Sequence, residues 1–136
     1  MPRLYREAPL ASIWEGSGNV MALDVLRALA RTPVALDAFL AEVDEATGAD
    51  HRFDAFVTAT RAELADTEAI EPRARRVVER LALCLQGSLL VRHAPPAVAD
   101  AFCAARLVGD AGLSYGTLPP GVDAGAIVAR HTPPEV

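Results

Sequence analysis

The chain has 136 residues, a length that suits one domain with a sizeable core and is too short for two. Hydrophobic residues make up 51% of it and charged residues 23%, a balance that excludes a disordered chain. The formal net charge is −5 and all 13 basic residues are arginine, so the overall charge argues against a nucleic-acid-binding module without excluding a local basic patch.

Apolar residues recur three and four positions apart through most of the chain, and long alternating runs are missing, which predicts an all-α bundle of about five helices. A first helix is expected over 20–31 with Asn19 as its N-cap, and Pro33 suits the first position of a second helix over 34–46. The Thr-Gly pair at 47–48 should end the second helix. The apolar faces of these two helices comprise Val20, Leu23, Leu26, Ala30, Leu36, Phe39, Leu40 and Val43.

The third and fourth predicted helices form the centre of the bundle. The third begins near His51 and should fray near 66–70, after which Pro72 starts a fourth helix over 73–92. Because the fourth helix is the longest and carries small residues beside its apolar face, we expect it to be the core helix. The faces comprise Phe53, Phe56, Val57 and Leu64 in the third helix, and Val77, Val78, Leu81, Leu85 and Leu89 in the fourth.

The carboxy-terminal part is punctuated by glycine and proline. The Pro-Pro pair at 95–96 precedes a fifth helix expected over 97–107, with Val98, Phe102 and Ala105 on its apolar face. The tail over 109–136 leaves room only for a short helical turn near 124–130. We therefore expect one domain, with a loop segment at 1–19, a helical bundle at 20–108 and this Gly/Pro-rich tail.

The sequence does not indicate a disulfide, a metal site, a membrane span or a signal peptide. Cys84 and Cys103 lie in apolar, helix-like surroundings without a CxxC spacing, so we interpret them as reduced core thiols. His51, His93 and His131 share no ligand-like spacing, and no metal site is predicted. No apolar run approaches the ~18 residues of a membrane span and no signal peptide begins the chain, which predicts a cytoplasmic protein.

One segment carries a longer and more specific pattern. Residues 3–29 read RLYREAPLASIWEGSGNVMALDVLRAL. This run resembles the acyl-CoA dehydrogenase segment in which Arg-Asp-Ala-x-x-x-x-Ile-Tyr-Glu-Gly-Thr precedes a helix. Tryptophan in place of tyrosine, and the Leu-Asp-Val-Leu-Arg that follows, are more similar to the AidB-like, alkylation-response branch of that family. The residues in register are Arg6, Glu7, Ala8, Ile13, Trp14, Glu15, Gly16 and Ser17.

The resemblance implies roles for the Glu15 segment. In the family, the carboxylate at the position of Glu15 takes the α-proton of an acyl-CoA thioester while the β-hydrogen moves as hydride to FAD. Enclosure beside Trp14 would raise the pKa of this base, and the resemblance also implies that Trp14 belongs to the cofactor-binding residues. Gly16 lets the backbone approach the flavin or the substrate, and the run 17–19 (Ser17, Gly18 and Asn19) matches positions that contact FAD, with a helix opening toward the same place.

Plainer interpretations of the same residues stay open. The run 15–19 could be only a Gly-rich turn that caps a helix. Trp14 could close the acyl pocket or be an ordinary core aromatic. Arg27 lies where the AidB-like branch is associated with DNA contact, but it could equally form an ion pair with Asp24 on a solvated helix face. Arg73, Arg75, Arg76 and Arg80 form the densest basic cluster, yet no aromatic residue is interleaved for base stacking.

By resemblance the chain is the carboxy-terminal helical domain of an AidB-like FAD enzyme acting on acyl-CoA. The amino-terminal helices and β-domain that enclose the flavin in the family are not among these residues, so we expect the chain alone to be inactive and colourless.

We also expect it to associate, with itself or with a flavoenzyme chain, through 11–19. The alternatives are a non-catalytic oligomerisation or partner-binding module and a DNA-binding module; an acid, Asp110, stands where the branch places a basic residue, which weakens the latter.

Overall fold

The computed structural model describes residues 2–13, 17–68, 70–111, 114 and 116–133. Within these ranges the chain is helical and forms no strand, which confirms the predicted all-α fold. No helix there is both long and apolar enough to cross a lipid bilayer. The elements in chain order are α1 (Pro2–Glu7), α2 (Leu10–Ile13), α3 (Ser17–Arg31), α4 (Pro33–Asp44), α5 (His51–Ala65), a 3₁₀ turn (Glu71–Arg73), α6 (Ala74–His93), α7 (Pro96–Phe102), a π-helical turn (Cys103–Leu107) and α8 (Ala124–His131).

Helix α6 is the centre of the bundle, as the sequence predicted. It is 20 residues long and packs against α3, α4, α5, α7 and the π-helical turn. Of its predicted face, Val77 and Leu81 are buried, whereas Leu89 is 42% exposed. Because several elements surround α6, the helix is buried on more than one side. Its buried residues include small and polar ones. They are Ala74, Val77, Leu81, Leu83, Cys84, Gly87 and Ser88.

The main core lies where α4, α5, α6 and the π-helical turn meet. A Cβ atom at Gly87 would lie 2.9 Å from Cδ2 of Phe53, so only a glycine lets the phenylalanine ring rest on the α6 backbone. Both cysteines are buried and neither forms a disulfide, as expected. The buried cluster comprises Val43, Ala46, Phe53, Val57, Leu83, Cys84, Cys103 and Leu107.

Helix α5 begins at a well-defined N-cap. Gly48 has a φ of +84°, a left-handed conformation that favours glycine and turns the chain between α4 and α5. The carboxylate of Asp50 accepts hydrogen bonds from the backbone N–H groups of Arg52 and Phe53, and from the Arg52 guanidinium. The Arg52 side chain and these amides hold the pKa of Asp50 down, at about 2.

The amino-terminal segment differs from the sequence prediction. Residues 2–7 and 10–13 are helical where a loop was expected. Asn19 as N-cap is wrong, because α3 begins at Ser17 and Asn19 lies inside its first turn. Val20 is 58% exposed, and the residue of α3 that is buried is Ala22. Helix α3 packs on α6 and on α4.

The fifth predicted helix is not regular throughout. Helix α7 ends at Phe102, and the chain then forms a π-helical turn in which the backbone N–H of Val108 donates to the carbonyl of Cys103 at 3.1 Å. The turn places Cys103 and Leu107 in the main core. Burial raises the pKa of the Cys103 thiol to about 11. The predicted turn near 124–130 is confirmed as α8.

Candidate functional site

The predicted site residues divide into two groups. Trp14, Glu15 and Gly16 lie outside the described residues, so their roles stay predictions. Ser17, Gly18 and Asn19 form the first turn of α3. Ser17 is half-buried, whereas Gly18 and Asn19 are exposed, so this part of the turn is accessible to a ligand.

The first turn of α3 has the chemistry of an anion-facing surface. The first backbone N–H groups of an α-helix have no acceptor within the helix, and the helix dipole makes this end partly positive. Both properties suit the phosphates of a dinucleotide. The hydroxyl of Ser17 and the amide of Asn19 add side-chain hydrogen-bonding groups, and Gly18 adds no side chain that would hold a ligand away. These residues therefore carry groups suited to an anion, and their contact with FAD stays a prediction from the resemblance.

Arg75 lies against the same turn, a proximity that the sequence pattern does not predict. A Cβ atom at Gly18 would lie 3.8 Å from Nη2 of Arg75, so the guanidinium group rests beside the start of α3. A cleft of about 290 Å³ separates the two helices there, and Leu23 and Glu71 are among its lining residues. Sequence spacing could place Arg75 among the other arginines, but only the packing of α3 on α6 places it beside Asn19.

The other arginines of the predicted basic cluster are engaged with carboxylates. Arg73, Arg76 and Arg80 approach the Glu63 carboxylate at 3.8, 2.8 and 3.3 Å. The Glu63 side chain is only 13% exposed, so these contacts tie α5 to α6 in a partly desolvated position. Arg73 also pairs with Asp66 at 3.2 Å. Such paired arginines offer little net positive charge to a nucleic acid.

Arg27 pairs with Asp24, with 2.8 Å between Nη1 and Oδ1. The two side chains are 61% and 63% exposed, so the pair contributes only about 0.2–0.5 kcal/mol. The solvated ion pair predicted as one interpretation of Arg27 is therefore present. Contact with DNA through Arg27 stays a prediction from the resemblance.

Large apolar side chains are exposed along the amino-terminal segment. Tyr5 of α1 is 83% exposed and Ile13 of α2 is 68% exposed. Helix α1 contains no buried residue. We call this set the amino-terminal apolar residues: Leu4, Tyr5, Leu10, Ile13, Val20 and Met21.

Comparison with known proteins supports the resemblance seen in the sequence. Over 103 residues, or 76% of the chain, the sequence is 39% identical to AidB of Escherichia coli (strain K12), an acyl-CoA dehydrogenase-like protein. The chain is a relative of AidB. It spans 19% of the length of AidB, so the similarity concerns a small part of that protein. No family model and no solved structure matches the chain significantly.

Proposed function

We propose that this chain is the carboxy-terminal helical part of an AidB-like flavoenzyme, in which the first turn of α3 faces FAD and Glu15 is the catalytic base. The observation that carries the proposal is the 39% identity to AidB over 76% of the chain. The helical fold and the exposed anion-facing turn at Ser17–Asn19 are consistent with it.

In this proposal the residues of the chain have separate tasks. The Glu15 carboxylate accepts the α-proton of an acyl-CoA thioester, and Trp14 beside it keeps water away and so favours a base with a raised pKa. Ser17 and Asn19 hydrogen-bond the dinucleotide, while the partly positive amino-terminal end of α3 faces its phosphates. FAD, when bound, supplies the acceptor for the β-hydrogen, which leaves as hydride.

The chain would need a second protein surface to act. Gly18 and Asn19 of this turn are exposed, and the cleft beside Asn19 has a volume of only about 290 Å³, which gives a dinucleotide little burial. We therefore expect the purified chain to bind FAD weakly and to be colourless after gel filtration. Stoichiometric yellow flavin retained by the chain alone would contradict this expectation.

Complementation tests the proposal. Escherichia coli AidB lacking the part that matches this chain would be mixed with the purified chain, and flavin retention and acyl-CoA oxidation would be measured. We expect both to be restored by the mixture and by neither protein alone. Glu15→Gln should keep flavin retention and abolish oxidation, because the amide cannot accept the α-proton. A Glu15→Gln variant as active as the unchanged chain would contradict Glu15 as the base.

A second candidate is a non-catalytic association module, which the amino-terminal apolar residues favour. Apolar surface of this kind on a soluble chain usually marks a contact with another protein. The occupant would be a second copy of this chain or a flavoenzyme chain covering 11–19. If the chain is such an association module, we expect a stable oligomer that binds no flavin in the presence or absence of the shortened AidB.

Matched variants test association. Trp14→Ala and Ile13→Ala should weaken self-association measured by sedimentation more than they lower stability. Val128→Ala on α8 is the control, because Val128 is 66% exposed and Ile13 is 68% exposed. A strictly monomeric chain at high concentration, or a Trp14→Ala variant that unfolds, would instead place Trp14 in the core of an independent domain.

A further inference from the structure

A second cleft lies far along the chain from the Ser17–Asn19 turn. It has a volume of about 490 Å³ and runs between α5, Arg80 of α6 and the end of the π-helical turn. We propose that this cleft binds a small organic anion with an apolar body, such as an aromatic carboxylate or sulfonate. No residue of α3 lines it, so the proposal does not depend on a role in flavin binding.

The walls of the cleft supply the apolar half of such a site. Phe56 and Ala59 of α5 lie on one side, and Leu107 and Val108 lie on the other. Val108 is 59% exposed, so an apolar ligand would remove a large aliphatic surface from water. The volume lies within the range of small-molecule sites, which are mainly apolar with a few fixed polar groups.

Two fixed arginines supply the polar half. Arg52 donates from Nε and Nη2 to Asp50, at 3.1 and 2.6 Å, and from Nη2 to Asp100 at 2.8 Å. Arg80 donates from Nε to the Thr60 hydroxyl at 3.1 Å and from Nη2 to the Phe56 carbonyl at 3.4 Å. Its guanidinium carbon also lies 4.3 Å from the centre of the Phe56 ring. These contacts hold both side chains in place before any ligand arrives.

Each guanidinium group retains a donor for an anion. Within the described residues, Nη1 of Arg52 and Nη1 of Arg80 donate no hydrogen bond. The two side chains are only 22% and 17% exposed, so their freedom is already restricted and binding loses little side-chain entropy. A preorganised guanidinium is well suited to carboxylate and sulfonate oxygens.

The carboxylates around the cleft limit its affinity for an anion. Asp50 and Asp100 together carry one more charge than Arg52, whereas Glu63 is shared between Arg80 and two other arginines. None of these carboxylates lines the cleft itself, whose other polar lining residue is His51. An anion in the cleft therefore contacts Arg52 and Arg80 directly, while the carboxylates, which do not line the cleft, reduce the attraction.

Fluorescence titration with 1-anilinonaphthalene-8-sulfonate tests the site, because this probe joins an apolar body to one anionic group. Ala59→Leu, which fills the cleft, should weaken binding at least tenfold. Ala62→Leu is the matched control, since both alanines are exposed on α5 and Ala62 does not line the cleft. No binding to the unchanged chain, or equal binding to the two variants, would overturn the proposal.

The requirement for charge is tested with N-phenyl-1-naphthylamine, an uncharged probe of similar shape. It should bind the unchanged chain at least tenfold more weakly than the sulfonate. Arg80→Met should reduce this preference, while Arg61→Met, which removes an exposed arginine paired with Asp44, should leave it unchanged. If Arg80→Met fails to fold, the comparison of the two probes on the unchanged chain still decides whether the cleft prefers an anion. Equal binding of the two probes would mean that the cleft recognises only apolar surface, which overturns the anion site.

Discussion

The amino-terminal segment and the centre of the bundle are both helical, but they differ in how much they bury. Among residues 2–31 whose burial is described, Ala22 is buried at 3% exposure, while Tyr5 and Ile13 are largely exposed. In the centre, Val43, Phe53 and Cys103 are at most 1% exposed. A helical sequence pattern therefore predicts local structure but does not predict whether another element covers the helix face. Short helices without such a covered face are only marginally stable in water.

Hydrogen exchange should give the largest difference between the two regions. Helices α1 and α2 have 6 and 4 residues, so their amides should exchange close to the rate of an unfolded chain. Amides of α6 should open only with the whole fold and exchange at least about 10³-fold more slowly. The measurement is exchange followed by mass spectrometry on the purified chain. Equal protection in α1 and α6 would mean that the amino-terminal segment is covered, for example by another copy.

Replacing one aromatic residue in each region should sharpen the comparison. Phe53→Ala removes a ring that is 1% exposed, and we expect a loss of about 3–5 kcal/mol in the free energy of unfolding. Tyr5→Ala removes a ring that is 83% exposed and should change that free energy by less than about 0.5 kcal/mol. Urea denaturation measures both. A large loss in Tyr5→Ala would show that α1 packs on something in solution.

Two helical glycines provide the next contrast. Gly87→Ala puts a Cβ atom 2.9 Å from Cδ2 of Phe53 and 3.3 Å from Cδ1 of Leu107, so it should cost about 1–3 kcal/mol. At Gly18 the nearest neighbour of a Cβ atom would be Nη2 of Arg75 at 3.8 Å, an ordinary contact. Gly18→Ala should therefore be neutral or stabilise by up to about 1 kcal/mol. Thermal unfolding ranks the two variants, and the reverse order would contradict the packing of α5 on α6.

The smallest expected effect concerns pH. Because the pKa of Asp50 is about 2 in the folded chain and 3.8 is its ordinary value, the stability that its ionised form contributes is fully present above about pH 5. It is lost as the pH falls from about 4 to 2. Asp50→Asn should cost about 1 kcal/mol at neutral pH, and its difference from the unchanged chain should vanish toward pH 2. Asp24→Asn, in the exposed pair of α3, is the control and should change stability by only a few tenths of a kcal/mol.

The sequence predicted the central helices well because proline and glycine mark their ends. Pro33 is the first residue of α4, and the turn around Pro72 leads into α6. The amino-terminal helices were missed because residues 1–19 were expected to form a loop that faces flavin and substrate. Of the predicted face of α3, Val20 and Ala30 are exposed, and the buried residue is Ala22, whose small side chain is a weak apolar signal.

The candidate site could be predicted only in part. Ser17 and Asn19 were selected by their place in the family pattern, and the structure puts both in the first turn of one helix. Arg75 was not connected to them, because their proximity arises from packing between α3 and α6 rather than from spacing in the chain. The cleft between Arg52 and Arg80 was missed for the same reason: its walls come from three separate elements.

The π-helical turn at Cys103–Leu107 makes the geometry that follows it sensitive to chain length. The bond from the Val108 N–H to the Cys103 carbonyl encloses one more residue than an α-helical turn would. A relative lacking one residue here could continue α7 as a regular helix. Every later residue would then be rotated by about 100° around the helix axis, which would turn Val108 away from its cleft. Inserting or deleting a single residue in this turn would therefore change the direction in which the rest of the chain continues.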